Sequence, residues 1–328
     1  MKFKNCFLSF IVVTTLLAGF SSCSTDVDLY ADYKDITIVY GLLDAGQDTN
    51  FVKITKAFLG PGNALEIAKD PDSSNYAGKL NVMLQGRKNS IDLNPIILDT
   101  ITIHDKLPGD SIFYFPNQLL YFTTAALDVD AKYTLQIEPE AKAIEAETDM
   151  IGSFGILRPV NRINFASTAA TQIEWNSARG GRRYEVNLKF YYKELRPDSP
   201  DTVYKTMNWN LGAHKAQTLE GGESMSVSYM GAEFYTRLGQ GLDNVLNVKR
   251  WAGEVVLTIS AGGEELSTFI DVNAPSNSIV QEIPQYTNIE NGYGIFSARR
   301  QAQQTYTLSV LSETKLVEDY NWGFVLNR

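Results

Sequence analysis

One residue in this chain has the surroundings for a covalent modification. Cys23 follows Ser21-Ser22 and an apolar run from Phe7 to Phe20, itself preceded by Lys2 and Lys4. That order is a basic n-region, an apolar h-region too short for a membrane span, and small residues before a cleavage point. It predicts a lipoprotein signal over residues 1–22, with Cys23 becoming the first residue and its thiol carrying a palmitate-type anchor. Cys6 leaves with the signal, so Cys23 has no partner for a disulfide. Several acyl chains, at ~0.8 kcal/mol per buried methylene, make such an anchor stable.

The remaining chemistry-bearing residues are scattered. His104 and His214 are far apart in sequence and have no cysteine partner, so no metal site and no zinc-dependent chemistry is expected. No Gly-x-Ser-x-Gly elbow accompanies either histidine. Asp26, Asp28 and Asp32, then Asp70 and Asp72, then Asp128 and Asp130 are close pairs, but none has calcium-loop spacing, and solvated turns account for them. Gly221-Gly222-Glu223 and Gly262-Gly263-Glu264 lack the Lys-Ser/Thr of a phosphate loop and read as turns. No cofactor and no catalytic residue is therefore expected. Among the aromatics, Tyr191 and Trp209 are the candidates for contact with a ligand or partner, Tyr191 because it alternates to the polar side of a strand whose other side carries Tyr192.

The elements that would carry these residues are mostly strands. The chain has 38 acids against 29 bases, and losing Lys2 and Lys4 moves the net charge from −9 to −11, which offers no footprint for nucleic acid. Ile36, Ile38, Tyr40 and Leu42 alternate with Thr37, Val39 and Gly41, and Val52, Ile54 and Phe58 resume the period after Asp44–Gln47, predicting a hairpin with one face on a core. Leu80 to Leu84 and Tyr133 to Ile137 repeat the pattern. Tyr184, Val186, Leu188, Phe190 and Tyr192 form the apolar face of a long strand, with Trp175 at the end of the one before it. Ala64–Lys69 could make one helical turn. Ala232–Leu242, with Phe234, Leu238 and Leu242 four apart, is the one stretch predicted as a helix proper. Val255–Ile259 and Leu266–Ile270 are expected to pair as a hairpin. The fold class expected is all-β: a tether over residues 23–34, a β-sandwich over 35–157, a second sandwich over 158–311 with one short helix, and a tail over 312–328.

The second half also carries a recognisable pattern, from Phe234-Tyr235-Thr236-Arg237-Leu238 through Ala261–Leu266 to the block Tyr286–Phe296. With the lipoprotein start, Val39-Tyr40-Gly41, Val52-Lys53-Ile54 and Lys132–Ile137, the chain resembles the Bacteroidota cell-envelope lipoproteins catalogued as domain of unknown function 4249. The stretch Trp175–Tyr192 is similar to the central strands of fibronectin type III domains. The first resemblance implies residence at the outer membrane near nutrient-import receptors, with no catalytic residues to carry over. It marks Asn288, Asn291, Gly292, Gly294 and Phe296 as structural: Asn291-Gly292 as a turn with positive φ, and Gly294 where a Cβ would collide. The function expected is a non-enzymatic, lipid-anchored accessory or partner-binding protein of an outer-membrane uptake system, on the surface or periplasmic side. The alternatives are a carbohydrate- or peptide-capture module and, from another class, a carboxylate-dependent hydrolase.

Overall fold

The computed structural model describes residues 34–59, 63–104, 117–138, 142–274 and 285–326. The signal, Cys23, most of the tether and the Phe113–Phe115 stretch lie outside these residues. In chain order the described elements are β1 (Lys34–Leu43), β2 (Asn50–Leu59), α1 (Ala64–Ile67), α2 (Pro71–Ser74), β3 (Asn81–Lys88), β4 (Ile91–Asp92), β5 (Ile96–Ile97), β6 (Asp99–Ile103), β7 (Gln118–Thr123), β8 (Lys132–Glu138) and β9 (Ile144–Asp149). There follow β10 (Ile156–Arg158), β11 (Arg162–Ile163), β12 (Thr171–Asn176), β13 (Arg183–Leu195), β14 (Thr202–Lys215), β15 (Ser224–Tyr229), α3 (Gly231–Gly241), β16 (Lys249–Gly262), α4 (Glu264–Val272), β17 (Gly292–Leu308), α5 (Val310–Glu318) and β18 (Phe324–Val325).

Ten strands make one sheet along the path β14-β13-β16-β17-β1-β2-β7-β6, with β11 beside β17 and β18 beside β16. A three-stranded sheet (β10-β12-β15) and a five-stranded one (β4-β3-β8-β9, with β5 on β3) complete the architecture. β17 joins the early and late parts of the chain. Its first half pairs in parallel with β1, from Thr37 opposite Gly292 to Leu43 opposite Ala298, and its second half pairs antiparallel with β16. Strands from both sides of residue 157 therefore share one hydrogen-bonded ladder.

The long β13 behaves as its alternation requires. Tyr184, Val186, Leu188, Phe190 and Tyr192 are buried, against a centre in which Phe165 stacks on Phe234 at 4.0 Å and Trp175 lies 6.0 Å from Tyr184. Burial lifts the Tyr184 hydroxyl to about 12, and its oxygen accepts the Ala178 N–H at 2.6 Å. Beside this, the inner face of the five-stranded sheet (Val82, Leu84, Tyr133, Leu135 and Ile137) packs into the same core as Val39, Leu43, Val52 and Ile54.

The structure is β-rich with several helices, not two sandwiches with one short helix. α3 forms where expected, burying Phe234, Tyr235 and Leu238. The stretch Leu266–Ile270, expected as a strand, is helical in α4. Gly263 occupies its N-cap with extended backbone, and Glu264 and Glu265 place negative charge on its first turn, where the helix dipole favours it. β16 needs no partner from that segment because β13 and β17 already flank it. Residues 312–318, the start of the stretch expected as the C-terminal tail, are helical in α5, whose cap Ser309 accepts the Ser312 N–H and whose Leu316 is fully buried. α1 and α2 are single turns.

β1 also turns over relative to its simplest reading. The inner set is Thr37, Val39, Gly41 and Leu43, and Tyr40 faces out. Register explains it: Tyr40 lies opposite Lys53, whereas Val39 and Gly41 lie opposite Ile54 and Val52. Gly41 leaves room for a ring, since a Cβ there would sit 2.9 Å from Phe296 Cδ2.

Candidate functional site

The C-terminal block sits where β1 meets β17. Asn291 adopts φ +59° and Gly294 φ +107°, and a Cβ on Gly294 would stand 2.0 Å from the Val39 carbonyl oxygen. Gly292 departs from the expected positive φ; its constraint is space, with Thr37 O and Ile289 Cγ2 each 2.9 Å from a Cβ position. Asn288 mimics a strand neighbour: its Oδ1 accepts the Phe296 N–H at 3.0 Å and its Nδ2 donates to Phe296 O at 2.6 Å. Phe296 is fully buried. Asn288 and Asn291 hold backbone through their side-chain amides, Asn291 Nδ2 donating to Ala143 O at 3.0 Å.

Trp209 is not a surface contact. It is 2 % exposed, edge-on to Tyr229 at 5.8 Å, with the Arg237 guanidinium 5.6 Å from its ring. Its strand neighbours Asn208 and Asn210 point the other way and are exposed. Tyr191 does lie on the outer side of β13, half-buried, with Lys189 Nζ 5.1 Å from its ring centre. His104 is exposed, its Nδ1 2.9 Å from Asn117 Oδ1, and His214 is edge-on to Trp175. The Asp128–Asp130 turn is held by Lys88 and Arg179, whose cations keep the Asp128 carboxyl below its ordinary value, Lys88 chiefly by direct hydrogen bonding.

The largest concentration of charge was not legible in sequence. Glu194 and Arg250 are buried at 0 % and 2 % exposure and joined at 2.8 Å through Arg250 Nε. Arg250 donates its other arms to Trp322 O and Asp243 O, while Arg196 and Lys205 bridge Glu194 to Asp243. Burial alone would push the Glu194 carboxyl up, but hydrogen bonds from Arg196 and Arg250 and the nearby Lys205 charge outweigh it and hold it down. Asp243 is held down in the same way, mainly by its hydrogen bond from Lys205. With both carboxylates ionised and paired, the network clamps β13, β14, β16 and the chain before β18 together, and neither acid is poised to move a proton. Among the described residues no group of three or more His, Cys, Asp or Glu side chains could hold a metal ion.

Two solvent faces remain. On the β17-β1-β2-β7-β6 end of the large sheet, Tyr293, Tyr40, Phe51, Ile101 and Ile103 are each 39 to 47 % exposed, with Phe122 6.1 Å from Phe51. The registers Ile38–Tyr293, Tyr40–Lys53, Phe51–Phe122 and Ile101–Leu120 bring these side chains onto one side. An apolar sheet face of this breadth is uncommon on a lone soluble body. Its sequence signal was β1 itself, where both alternating sets are apolar and only one can be inside. The second face, outside β14-β13-β16-β17, carries Tyr191.

No protein-family model matches this chain, and no curated protein matches it.

Proposed function

We propose that this protein is a non-enzymatic, lipid-anchored component of the cell envelope that docks on another envelope protein through the apolar face of β1, β2, β7 and β6. The observation that carries this reading is the position of that face. β1 is the strand that directly follows the anchor segment, and the residues from Cys23 to the start of β1 can span at most about 40 Å. A body tied this closely to a bilayer brings an exposed, aromatic-rich sheet surface to membrane-held partners. Each of the five side chains is already more than half covered, so burying the remainder contributes about 0.6–1.4 kcal/mol apiece, and the contact also draws on the neighbouring residues of the same face.

The resemblance to the lipoproteins of domain of unknown function 4249 supports outer-membrane residence and an accessory role beside a nutrient-import receptor. The packing of the three-stranded sheet over β13 and β14 fits a fibronectin-like sandwich in the second half. Protease added to intact cells distinguishes the surface side from the periplasmic side.

The test is affinity purification of the full chain from detergent-solubilised envelopes. The wild type should bring down an integral outer-membrane protein in a defined ratio. Tyr40→Ser with Phe51→Ser should abolish that recovery while the purified variant keeps a cooperative melt and the wild-type circular dichroism, since neither side chain is part of the buried core. Equal recovery by the double variant would overturn the docking reading. Cys23→Ala should abolish labelling by a tagged fatty acid; labelling that persists would overturn the anchor.

A further inference from the structure

We infer a second binding surface, independent of the apolar face: the outer side of β14-β13-β16-β17 is built to hold an uncharged, hydroxyl-rich polysaccharide. Strand register orders its side chains into rows. Lys193 lies between Tyr204 and Trp251, and the next outward residue on β13 is Tyr191, beside Thr206. Beyond them the rows read Asn208–Lys189–Val256–Thr305 and Asn210–Asn187–Thr258–Gln303.

The composition of this face differs from an ordinary solvated one. A surface sheet commonly alternates acids and bases. Here the two central rows contain amides and hydroxyls with one lysine and one valine. Amides and hydroxyls both donate and accept, which matches a ligand whose hydroxyls do the same, and they have no preference for an ion. Beside these rows Lys189 and Lys193 are matched in number by Glu185 and Glu254, and the cations at the far end, Arg183 and Lys215, are paired with Asp271 of α4. Glu185 is already occupied by the Asn210 amide, whose oxygen accepts the Gly212 N–H at 2.6 Å, so Asn210 is committed within the protein and the ligand-facing amides are Asn208, Asn187 and Gln303. Neutral hydroxyl recognition is the complementarity that remains.

The aromatic end supplies the stacking planes. Tyr204 is 73 % exposed at the sheet edge, and Trp251 is half-buried two strands away, a separation of about 10 Å at ordinary strand spacing. Lys193 Nζ lies 5.4 Å from the Tyr204 ring centre and Lys189 Nζ 5.1 Å from that of Tyr191, so each cation occupies one side of its tyrosine and fixes its plane. A register shift between Phe190 and Tyr192 sets Gly253 and Glu254 across from Tyr191, and a Cβ on Gly253 would meet Tyr191 O at 2.7 Å. The missing side chain keeps the strip between Tyr191 and Trp251 low. An extended peptide gains no main-chain hydrogen bonds here, because the backbone of β13 and β16 is already paired on both sides.

The test is affinity electrophoresis of the full chain in non-ionic detergent through gels containing xylan, mannan, laminarin, dextran or levan, with polygalacturonate and heparin as acidic comparators. At least one neutral polymer should retard the protein, with a change in tryptophan fluorescence on binding that is lost in Trp251→Phe. Tyr204→Ala and Tyr191→Ala should each weaken retardation about tenfold, as loss of one stacking plane predicts. Tyr40→Ser, on the other face, should leave it intact. Both tyrosine variants should keep the wild-type melting midpoint. Absence of retardation by every neutral polymer, retention by the acidic ones alone, or full binding by both tyrosine variants would each overturn the inference.

Discussion

Replacing Gly294 by alanine should be among the most damaging single-methyl additions in this protein. The residue has φ +107°, outside the range an L side chain tolerates, which costs about 1–3 kcal/mol by itself. The added Cβ would lie 2.0 Å from Val39 O, and real Cβ contacts stay above 3.0 Å, so β1 and β17 must separate locally by roughly 1 Å. That shift occurs inside a parallel ladder flanked by the fully buried Val39 and Phe296, and loosening two of its hydrogen bonds adds about 1 kcal/mol each. The sum is ~3–5 kcal/mol, a large part of the stability of an ordinary domain. Urea unfolding of the full chain, followed by tryptophan fluorescence, measures it. Gly292→Ala, tight but without positive φ, should cost about half as much, and Gly155→Ala, with nothing near its Cβ position, should be within about 0.5 kcal/mol of wild type. A Gly294→Ala midpoint equal to that of Gly155→Ala would refute the argument that this junction welds β1 to β17.

Three further outcomes follow from the buried charges and caps. Glu194→Ala leaves Arg250 buried beside only carbonyl partners and should cost ~3–5 kcal/mol, whereas Glu194→Leu with Arg250→Met should recover most of that loss; equal losses in a denaturant titration would contradict the pairing. Because the folded Glu194 carboxyl is held below its ordinary 4.5, its contribution is complete above that value and drains away as pH falls through the lower folded value. Melts of the wild type should therefore weaken below about pH 4.5, with a shallower acid slope in Glu194→Gln; identical slopes would exclude this group. Ser312→Ala removes the acceptor of the buried Phe165 N–H and the hydroxyl that meets Ser309 Oγ, and should lower stability by about 1–3 kcal/mol, read from the same urea titrations; an unchanged midpoint would show that the Ser312 hydroxyl is dispensable.

Local pattern was enough to locate the long strands, the helix at α3 and the collision at Gly294, because alternation, four-residue spacing and a glycine beside a turn act over a few residues. It placed β13 with the correct face inward, since Tyr184 to Tyr192 offer one apolar side and one polar side. It misplaced α4 because Leu266, Thr268 and Ile270 satisfy a two-residue period while Glu264, Glu265 and the N-cap glycine satisfy a helix start; the sheet chose, by already giving β16 two neighbours. Nothing local could choose between the two apolar sets of β1, which depend on Val52 and Ile54 across the ladder, nor reveal that Glu194 meets Arg250, 56 residues away in the chain. Trp209 shows the same limit: its type suggested contact, but the rings that surround it come from β15 and the segment after β11, and Arg237 reaches it from α3. The chain by itself determined periods and turns. The tertiary structure decided which face of each period is covered, because burial belongs to pairs of distant elements and not to either one alone.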